Sequence, residues 1–410
     1  MRLPIWSPFA FTAFVSTAWA QEMPQCASEC LNTGLQSSSC TPTDAECICA
    51  DQGLMANIQT CVLGSCTVIE SLSAQNATAT LCNDPIRDKS LVAPIATAIT
   101  GGLALVFISL RVYDCIARKE YRWADLCALL AMVFSIPMDV FEFFMMGSGM
   151  GKDVWTLTPT QITNAAKYTW VTQVFYIPAI ILTKVAILCF FMQVFPVARF
   201  LILCKATIIH CFLFMISTTI AAILACIPVE YAWSNWTGEG GGLCYDNNAF
   251  WWAHSAINIA TDLWVLGLPI PMLLKLQLRT KKKIYLVLMF SVGIVITVMS
   301  IVRFSGLITY STSANITYNN VMVATYSVIE CNVSIMCCCM PALLSCLRRS
   351  FPNIFESTTS RSLNYNKTPF SNSGIQKTVS HKVTYMPRAE TSDDAIELVD
   401  RDEKDRKTPW

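Results

Sequence analysis

Residues 91–110 read LVAPIATAITGGLALVFISL and contain no charged side chain. An apolar stretch of this length is what an α-helix needs to cross the ~30 Å hydrocarbon core of a bilayer. Six further apolar stretches follow, at residues 123–146, 167–194, 203–227, 250–274, 284–310 and 320–346. The sequence therefore predicts an all-α membrane protein with a seven-helix transmembrane bundle at residues 91–347. Because the apolar runs are continuous rather than alternating, they exclude a β-barrel.

The composition of the whole chain agrees with a membrane location. Apolar residues make up 54% of the 410 residues and charged residues only 14%. Soluble domains carry about 25% charged residues, so an ordinary soluble globule is excluded. The formal net charge of +1 gives no electrostatic footprint for nucleic acid. The partner that this composition indicates is the lipid bilayer.

The first 20 residues have the parts of a secretory signal peptide. Arg2 supplies a charged start, the apolar run from Leu3 to Val15 is too short to span a bilayer, and Ala18-Trp19-Ala20 is a small-x-small cleavage site. The sequence predicts that residues 1–20 are removed and that the mature chain begins at Gln21, on the oxidising side. The alternative is an uncleaved signal anchor.

Eight of the 20 cysteines lie close together near the predicted mature N-terminus. They are Cys26, Cys30, Cys40, Cys47, Cys49, Cys61, Cys66 and Cys82. An even number of cysteines in a secreted segment predicts a disulfide framework, although spacing alone does not choose among the ~105 pairings open to them. A zinc site is the rival interpretation, and the absence of His from this segment weakens it.

The cysteine spacing has a specific form. The segment contains Cys40-x3-Asp44-x2-Cys47-x-Cys49, preceded by Cys26-x3-Cys30 and followed by Cys61-x4-Cys66 and Cys82. This order resembles the fungal CFEM domain over residues 21–86. The resemblance implies a small, disulfide-stapled helical extracellular domain. The pairs it implies are Cys26–Cys66, Cys30–Cys61, Cys40–Cys47 and Cys49–Cys82.

The same resemblance gives Asp44 a candidate role. In haem-binding CFEM domains the aspartate at this place is the axial ligand of the iron, so the resemblance implies a metal site at Asp44 with haem as cofactor. The alternative is that Asp44 caps a helix or a turn, as short polar side chains do. From Gln21 to Arg87 there is no Phe, Tyr, Trp or His to contact a porphyrin face.

The basic residues predict the orientation in the membrane. They collect in loops between alternate spans, at residues 111–122, 199–205 and 275–283. By the positive-inside rule these loops face the cytoplasm, which puts the N-terminus outside and the C-terminus inside. The predicted location is the plasma membrane, with several membrane passes.

Other features fit this orientation. The glycosylation sequons at Asn76, Asn235 and Asn315 fall in segments predicted to lie outside. Residues 348–410 are polar and charged, which is typical of a disordered cytoplasmic tail. Cysteines near the inner end of the last span are candidates for palmitoylation or for simple helix packing. Cys226 and Cys244 flank an outer loop, where they are either a disulfide pair or free thiols.

Six ionisable residues fall inside the predicted spans. They are Asp139, Glu142, Lys184, Asp262, Arg303 and Glu330. Each costs about 2.5–3.5 kcal/mol at a helix centre, so they should face the bundle interior and pair. From their depths we expect Lys184 to pair with Asp262 or Glu330, and Arg303 to pair with Glu142 or Glu330. Three interpretations of the group are open. It is a ligand pocket or switch network that opens outward, an inert network that sets helix register, or a proton or ion path.

The spans carry a second set of motifs. They include Trp123-Ala124-Asp125, Gly149-x-Gly151, Thr183-Lys184-Val185-Ala186, Ile259-Ala260-Thr261-Asp262, Leu268-Pro269-Ile270-Pro271 and Glu330-x-Asn332. This set resembles the fungal rhodopsin-like seven-helix domain. The whole chain resembles the CFEM-containing, G-protein-coupled-receptor-like proteins of filamentous fungi, which are regarded as plasma-membrane sensors of surface or host cues. The resemblance implies an unknown extracellular ligand and a heterotrimeric G protein as a candidate partner.

The chain departs from receptor motifs in two places. The inner end of the third span reads Phe190-Phe191-Met192-Gln193 without Asp-Arg-Tyr, and the seventh span lacks Asn-Pro-x-x-Tyr, so no motif indicates G-protein coupling. Residues 321–347 contain no Lys, which excludes a retinal Schiff base at the usual rhodopsin position.

We therefore expect a cell-surface receptor or sensor. The alternative is a membrane-tethered protein that binds haem or iron through its CFEM domain. Enzyme activity is not expected, because Gly-x-Ser-x-Gly, His-Glu-x-x-His and P-loop motifs are absent and the chain has only 3 His. An odd number of spans without an evident internal repeat argues against a transporter.

Overall fold

A computed structural model describes residues 23–275, 280–313 and 315–350. The predicted signal peptide and residues 351–410 of the predicted tail lie outside this description, as do the side chains of residues 273–289 and 344–350. The basic side chains of the third predicted inner loop are therefore not described. Within the described ranges the chain is an all-α membrane protein with a disulfide-rich N-terminal region, as the sequence predicts.

The N-terminal region consists of short helices that polar side chains cap. They are α1 (Gln25–Gln36), α2 (Ala45–Ala50), α3 (Gln52–Ser65) and α4 (Val68–Leu81). Asp44 caps α2 and Asp51 caps α3 by accepting backbone N–H groups. At α4, Thr67 and Glu70 form a reciprocal capping box. Helices α2, α3 and α4 therefore begin where the local sequence supplies an acceptor for the free N–H groups, whereas α1 begins after Pro24 without a side-chain cap.

Disulfides join these helices across a small core. The structure pairs Cys26 with Cys66, Cys30 with Cys61, Cys40 with Cys47 and Cys49 with Cys82. Ala27, Val62 and Ala74 form one apolar cluster with the disulfide-bonded Cys30, Cys61 and Cys66. Such small side chains bury little apolar area, so the covalent bridges supply much of the stability of this region.

The rest of the described chain is mostly long helices. They are α5 (Val92–Arg118), α6 (Trp123–Gly147), α7 (Pro159–Val194), α8 (Ala198–Ile223), α9 (Tyr231–Ser234), α10 (Asn247–Gly267), α11 (Ile270–Lys275), α12 (Thr280–Ser311) and α13 (Ile316–Ser350). Among the described residues, 7 helical segments are long and apolar enough to cross a membrane. They are α5, α6, α7, α8, α10 with the start of α11, α12 and α13, and this confirms the predicted number of spans.

Two boundaries differ from the sequence prediction for identifiable reasons. Helix α7 begins at Pro159 rather than near residue 167, because Thr158 and Gln161 form a capping box and Pro159 occupies the first turn. These first turns are polar, so an apolar pattern does not detect them. The fifth span breaks after Gly267, beside Pro269 and Pro271, which lack the N–H that would continue the helix.

Helix α7 is at the centre of the bundle. Every residue from Tyr176 to Ala186 is buried, which is expected of a helix that neighbours surround. By contrast, α5 exposes Leu103 and Val106, and α8 exposes Ile209 and Leu213. These exposed apolar faces suit contact with lipid. The polar side chains of α7 are therefore enclosed by protein, and they belong to the core.

The linker between α4 and α5 is held by an ion pair and hydrogen bonds to the loop between α6 and α7. Arg87 Nη2 lies 2.8 Å from Asp153 Oδ1, and the Arg87 guanidinium also lies over the ring of Tyr318. Lys89 N donates to the carbonyl of Gly151. Gly151 has φ +99°, and a Cβ there would lie 2.7 Å from Ser90 N, so only glycine suits this close approach. We call this end of the bundle the CFEM end.

A second loop covers the CFEM end between α8 and α10. Strand β1 (Cys226–Ile227) pairs antiparallel with β2 (Leu243–Cys244), and Cys226 is opposite Cys244 in the register. The two cysteines form a disulfide. Tyr231 and Trp233 on α9 lie between these strands in the sequence, so the bridge closes a loop rich in aromatic residues.

Candidate functional site

Lys184 of α7 is paired within the bundle. Its Nζ lies 2.7 Å from Asp262 Oδ1 on α10 and donates to the side-chain and backbone oxygens of Asn258, at 2.9 and 3.0 Å. Asp262 and Asn258 are one helical turn apart, so both reach the same ammonium. Of the two acids considered for Lys184, the structure brings Asp262 to it.

Arg303 of α12 meets Glu330 of α13. Arg303 Nε lies 2.9 Å from Glu330 Oε2, an ion-pair distance, although its N–H does not point at that oxygen. Tyr176 of α7 donates to the same carboxylate oxygen at 2.9 Å, and its ring lies 5.0 Å from the guanidinium. Arg303 and Glu330 are 3% and 0% exposed, so this pair is fully enclosed. Glu142, the other acid considered for Arg303, is not its ion-pair partner.

Two uncharged side chains join the ion pairs into one chain. Ser300 Oγ lies 2.6 Å from Glu330 Oε1 and 3.4 Å from Asp262 Oδ2. Asn258 Nδ2 donates to Glu330 Oε1 at 3.2 Å. A continuous polar path therefore runs from Lys184 to Arg303 and touches α7, α10, α12 and α13. We call it the buried ion chain.

Sequence reasoning did not identify the connecting residues of this chain. Asn258 lies four positions before Asp262, and Ser300 lies three positions before Arg303. Side chains at these spacings share a helix face, so a search for polar residues one turn from each intramembrane charge would have found them. Tyr176 gives no comparable signal, because its nearest predicted charge, Lys184, is eight positions away.

Asp139 belongs to a separate polar group between α6 and α13. Asn332 Nδ2 lies 3.3 Å from Asp139 Oδ1 and also donates to Thr100 on α5, while Ser135 donates to Asn332 Oδ1. A Cβ at Gly101 would lie 3.0 Å from Asp139 Oδ2, so the glycine allows α5 to approach this carboxylate. Asp139 is therefore satisfied by neutral groups rather than by a base.

Glu142 differs from the other intramembrane acids. It is 1% exposed, and its Oε1 has no hydrogen-bond partner among the residues that the structure describes. It lies three positions after Asp139, one turn further toward the CFEM end. A buried polar atom without a partner is costly, and such atoms often mark a place where something else binds.

Two adjoining cavities lead from the CFEM end to this region. The larger, the vestibule, measures about 230 Å³ and is lined by residues that include Trp170, Gln173, Trp236, Tyr245 and Trp251. The smaller, the inner cavity, measures about 50 Å³ and is lined by residues that include Glu142, Tyr176 and Arg303. Thr169, Gln173, Trp251 and Asn320 line both. The inner cavity thus separates the vestibule from the buried ion chain.

A further ion cluster lies at the opposite end of the bundle, and sequence reasoning assigned it no role. Nε and Nη2 of Arg111 on α5 both lie 2.8 Å from Asp125 Oδ1 at the start of α6. Arg118 Nη2 lies 3.6 Å from Asp125 Oδ2, and the backbone N–H of Arg122 donates to the same oxygen. Arg111 Nη1 donates to the carbonyl of Cys338 on α13. Asp125 and Arg111 together therefore join α5, α6 and α13.

The cysteines near this cluster are enclosed. The thiols of Cys337, Cys338 and Cys339 are buried, which suits the packing interpretation better than palmitoylation, because an acyl chain needs an accessible sulfur. Cys346, the fourth cysteine near this end of the last span, has a side chain outside the described ones.

Asp44 acts as a helix cap in this structure. It is exposed, and its Oδ1 accepts the backbone N–H of Cys47 at 3.0 Å. No group of three or more metal-ligating side chains occurs among the described residues, and the surrounding segment has no aromatic ring for a porphyrin face. The residues present fit a cap rather than a haem site.

The three predicted glycosylation sites are in different environments. Asn76 on α4 and Asn235 are exposed. Asn315 is 8% exposed, its Nδ2 lies 2.6 Å from Asp153 Oδ1, and its Oδ1 accepts the N–H of Val154. Nδ2 is the atom to which a glycan would be attached, and here it is enclosed and bonded. The structure therefore contradicts the glycosylation prediction at Asn315.

These features define the protein as a seven-helix membrane protein with a disulfide-stapled N-terminal domain and a polar interior. Comparison with protein families matches residues 110–349 to the fungal rhodopsin domain and residues 19–83 to the CFEM domain. The chain belongs to the fungal rhodopsin domain family and carries a CFEM domain.

Curated relatives come from several fungi. A segment is 30% identical over 148 residues to Satratoxin biosynthesis SC1 cluster protein 4 of Stachybotrys chartarum, covering 36% of this chain and 52% of that one. The SAT4 family membrane protein of Emericella nidulans is 28% identical over 208 residues, or 50% and 51% of the two chains. Receptor GIN3 of Arthrobotrys oligospora is 26% identical over 149 residues, or 35% and 36%. The matches span about half, or less, of each relative, and no solved structure matches the chain.

Proposed function

We propose that this protein is a cell-surface receptor whose ligand enters the bundle from the CFEM end. The observation that carries this proposal is the succession of vestibule, inner cavity and buried ion chain, because Arg303 both lines the inner cavity and pairs with Glu330. A ligand at Arg303 would act on a path that reaches four helices. The similarity to a protein named as a receptor also supports this class over an enzyme.

The finer parts of the proposal concern orientation and coupling. The CFEM domain and the vestibule face the outside of the plasma membrane. The loop between α5 and α6, and the other loops at that end of the bundle, face the cytoplasm. The buried ion chain is then the element that changes between resting and active states. A heterotrimeric G protein is the candidate partner at the basic inner loops. Haem or iron capture is the weaker alternative, because Asp44 is already engaged as a cap.

Charge removal at Lys184 and Asp262 tests whether the ion chain is a switch. Lys184→Met or Asp262→Leu alone leaves a buried charge and should destabilise the folded protein by roughly 3–5 kcal/mol. The double variant should recover much of this loss and reach the plasma membrane. If the chain is a switch, the double variant loses the second-messenger output that wild type adds over an empty vector.

The control for this experiment is Lys205→Met, which removes an exposed lysine of α8. It should leave both surface abundance and output unchanged. A double variant that reaches the surface and gives wild-type output would make the ion chain purely structural and would remove the main support for the proposed function.

A further inference from the structure

The inner cavity contains an acid that the protein itself does not neutralise. Among the six intramembrane charges, Lys184 is paired with Asp262 and Arg303 with Glu330. The remaining two are acids, Asp139 and Glu142, and α6 carries no Lys or Arg between residues 123 and 147. Asp139 accepts from Asn332, so Glu142 is the acid left without a described partner for Oε1.

From this geometry we propose that the inner cavity binds the protonated amine of a small organic ligand, with Glu142 as its counter-ion. The inference rests on the proposed function and names the class of ligand for the same pocket. An ammonium would give Glu142 the charge-assisted hydrogen bond that the bundle does not supply. It would also favour the ionised form of Glu142 in a region of low dielectric, where a carboxylate without a counter-ion is costly.

The size and walls of the two cavities suit such a ligand. A volume of about 50 Å³ holds a few water-sized groups, since one water occupies about 10–15 Å³ on this measure, and an ammonium with its first methylene is of this size. The aromatic residues Tyr176 and Trp251 line the inner cavity, and aromatic faces attract cations. The vestibule, with Trp170, Trp236 and Tyr245, would hold the apolar remainder of the ligand.

Arg303, the positive charge at the inner cavity, does not favour an anionic ligand. Arg303 lines the cavity, but it lies against Glu330, with Tyr176 and Ser255 as further neighbours. A carboxylate ligand would have to compete with Glu330 for Arg303 and would also face Glu142. A cation meets no such competition at Glu142, so the arrangement selects for positive charge.

Three probes of matched shape test this assignment: phenethylamine, 2-phenylethanol and 3-phenylpropanoate, which differ in the charge of the terminal group. Binding of each probe to the full chain in lipid nanodiscs is measured by the quenching of tryptophan fluorescence and by the shift in melting temperature. We expect phenethylamine to stabilise wild type more than either other probe. Glu142→Gln should weaken its binding at least roughly thirtyfold, the loss expected when one partner of a buried charge pair is removed.

The matched control is Asp139→Asn, which neutralises the acid one turn away. It should keep the preference for the amine. Glu142→Gln also replaces a buried acid, whose Oε1 has no described partner, by an uncharged amide of the same shape, so this variant should melt at or above the wild-type temperature in the absence of probe. An equal response of wild type and Glu142→Gln to phenethylamine, or no advantage of the amine over the alcohol, would overturn the assignment.

The outcomes also separate this inference from the proposed function. If 2-phenylethanol binds as well as the amine, and Trp236→Ala weakens both, the vestibule is a ligand pocket but Glu142 does not select a cation. If no probe of any charge binds, the cation assignment fails, while the output of the Lys184 and Asp262 variants still decides whether the ion chain is a switch.

Discussion

At Asn315 the atom that a glycan would use is already bonded inside the protein. The amide links the loop between α6 and α7 to the start of α13 through Asp153 and Val154. A sequon describes only three neighbouring residues, whereas the burial of Asn315 depends on a loop that lies more than 150 positions away. The local sequence therefore could not distinguish this asparagine from the exposed Asn235.

We predict that Asn315→Ala lowers stability without changing glycosylation. The substitution leaves Val154 N–H and the Asp153 carboxylate without this partner, which should cost about 1–3 kcal/mol. Thermal melting measures the loss, and endoglycosidase mobility shifts measure the glycans. Asn76→Gln and Asn235→Gln are the controls, because they should reduce glycan mass with little effect on melting. Loss of glycan mass from Asn315→Ala alone would contradict the prediction.

Asp44 gives a second test at the scale of a single residue. Because its Oδ1 caps α2, Asp44→Ala should destabilise the CFEM domain by about 1 kcal/mol, and Asp44→Asn should retain most of the stability, since Asn is a comparable cap. Haem titration of the full chain, followed at the Soret band, should give the same result for wild type and Asp44→Ala. A Soret band that appears only when Asp44 is present would instead assign it to iron.

At the scale of elements, Asp125 determines how three helices meet. It lies in the first turn of α6, where the helix dipole favours an acid, and it receives Arg111 from α5. Arg111 continues to the carbonyl of Cys338 on α13. At the end of the bundle opposite the CFEM end, these helices are therefore coupled through Asp125 and Arg111.

Neutralising Asp125 should loosen this junction. Asp125→Asn leaves Arg111, which is 5% exposed, without its charged partner and should cost roughly 3–5 kcal/mol. The nearby exposed pair of Arg122 and Glu120 is the matched comparison, since its side chains are 47% and 65% exposed. Glu120→Gln should cost less than about 1 kcal/mol. Equal melting of the two variants in detergent or nanodiscs would show that Asp125 does not hold the helices together.

At the scale of the whole molecule, the CFEM domain and the bundle are linked by a short, well-tied segment. Arg87, Asp88 and Lys89 all contact the loop of residues 151–153. A movement of the CFEM domain would therefore act on this loop and on the start of α13, where Tyr318 contacts Arg87 and Thr317 bonds to Lys152. If the protein is a receptor, these contacts are a second route by which ligand binding at the CFEM domain would act on the bundle, separate from the vestibule.

The proposed orientation is tested on intact cells. An epitope placed after residue 22 should be labelled without permeabilisation, because it precedes the first CFEM helix on the outer side. An epitope at the C-terminus should be labelled only after permeabilisation. The glycans at Asn76 and Asn235 should be removed by endoglycosidase added to intact cells. Labelling of the C-terminal epitope on unpermeabilised cells would reverse the orientation.

Much of this architecture could be predicted from the sequence, because it depends on local composition. The number of spans follows from apolar length, and helix caps such as Asp51 and Thr67 follow from residues within one turn. The cysteine spacing led to the CFEM resemblance in the same way. The intramembrane charges were also visible, since each stands out against an apolar background.

The partners of those charges depended on the tertiary structure. Lys184 had Asp262 and Glu330 as candidate partners, and Arg303 had Glu142 and Glu330. Only the rotation and packing of α10, α12 and α13 selected Asp262 for Lys184 and Glu330 for Arg303. Glu142 was left facing a cavity for the same reason. Depth along a helix can be read from sequence position, but the direction in which a side chain points within the bundle is set by the packing of all its neighbours.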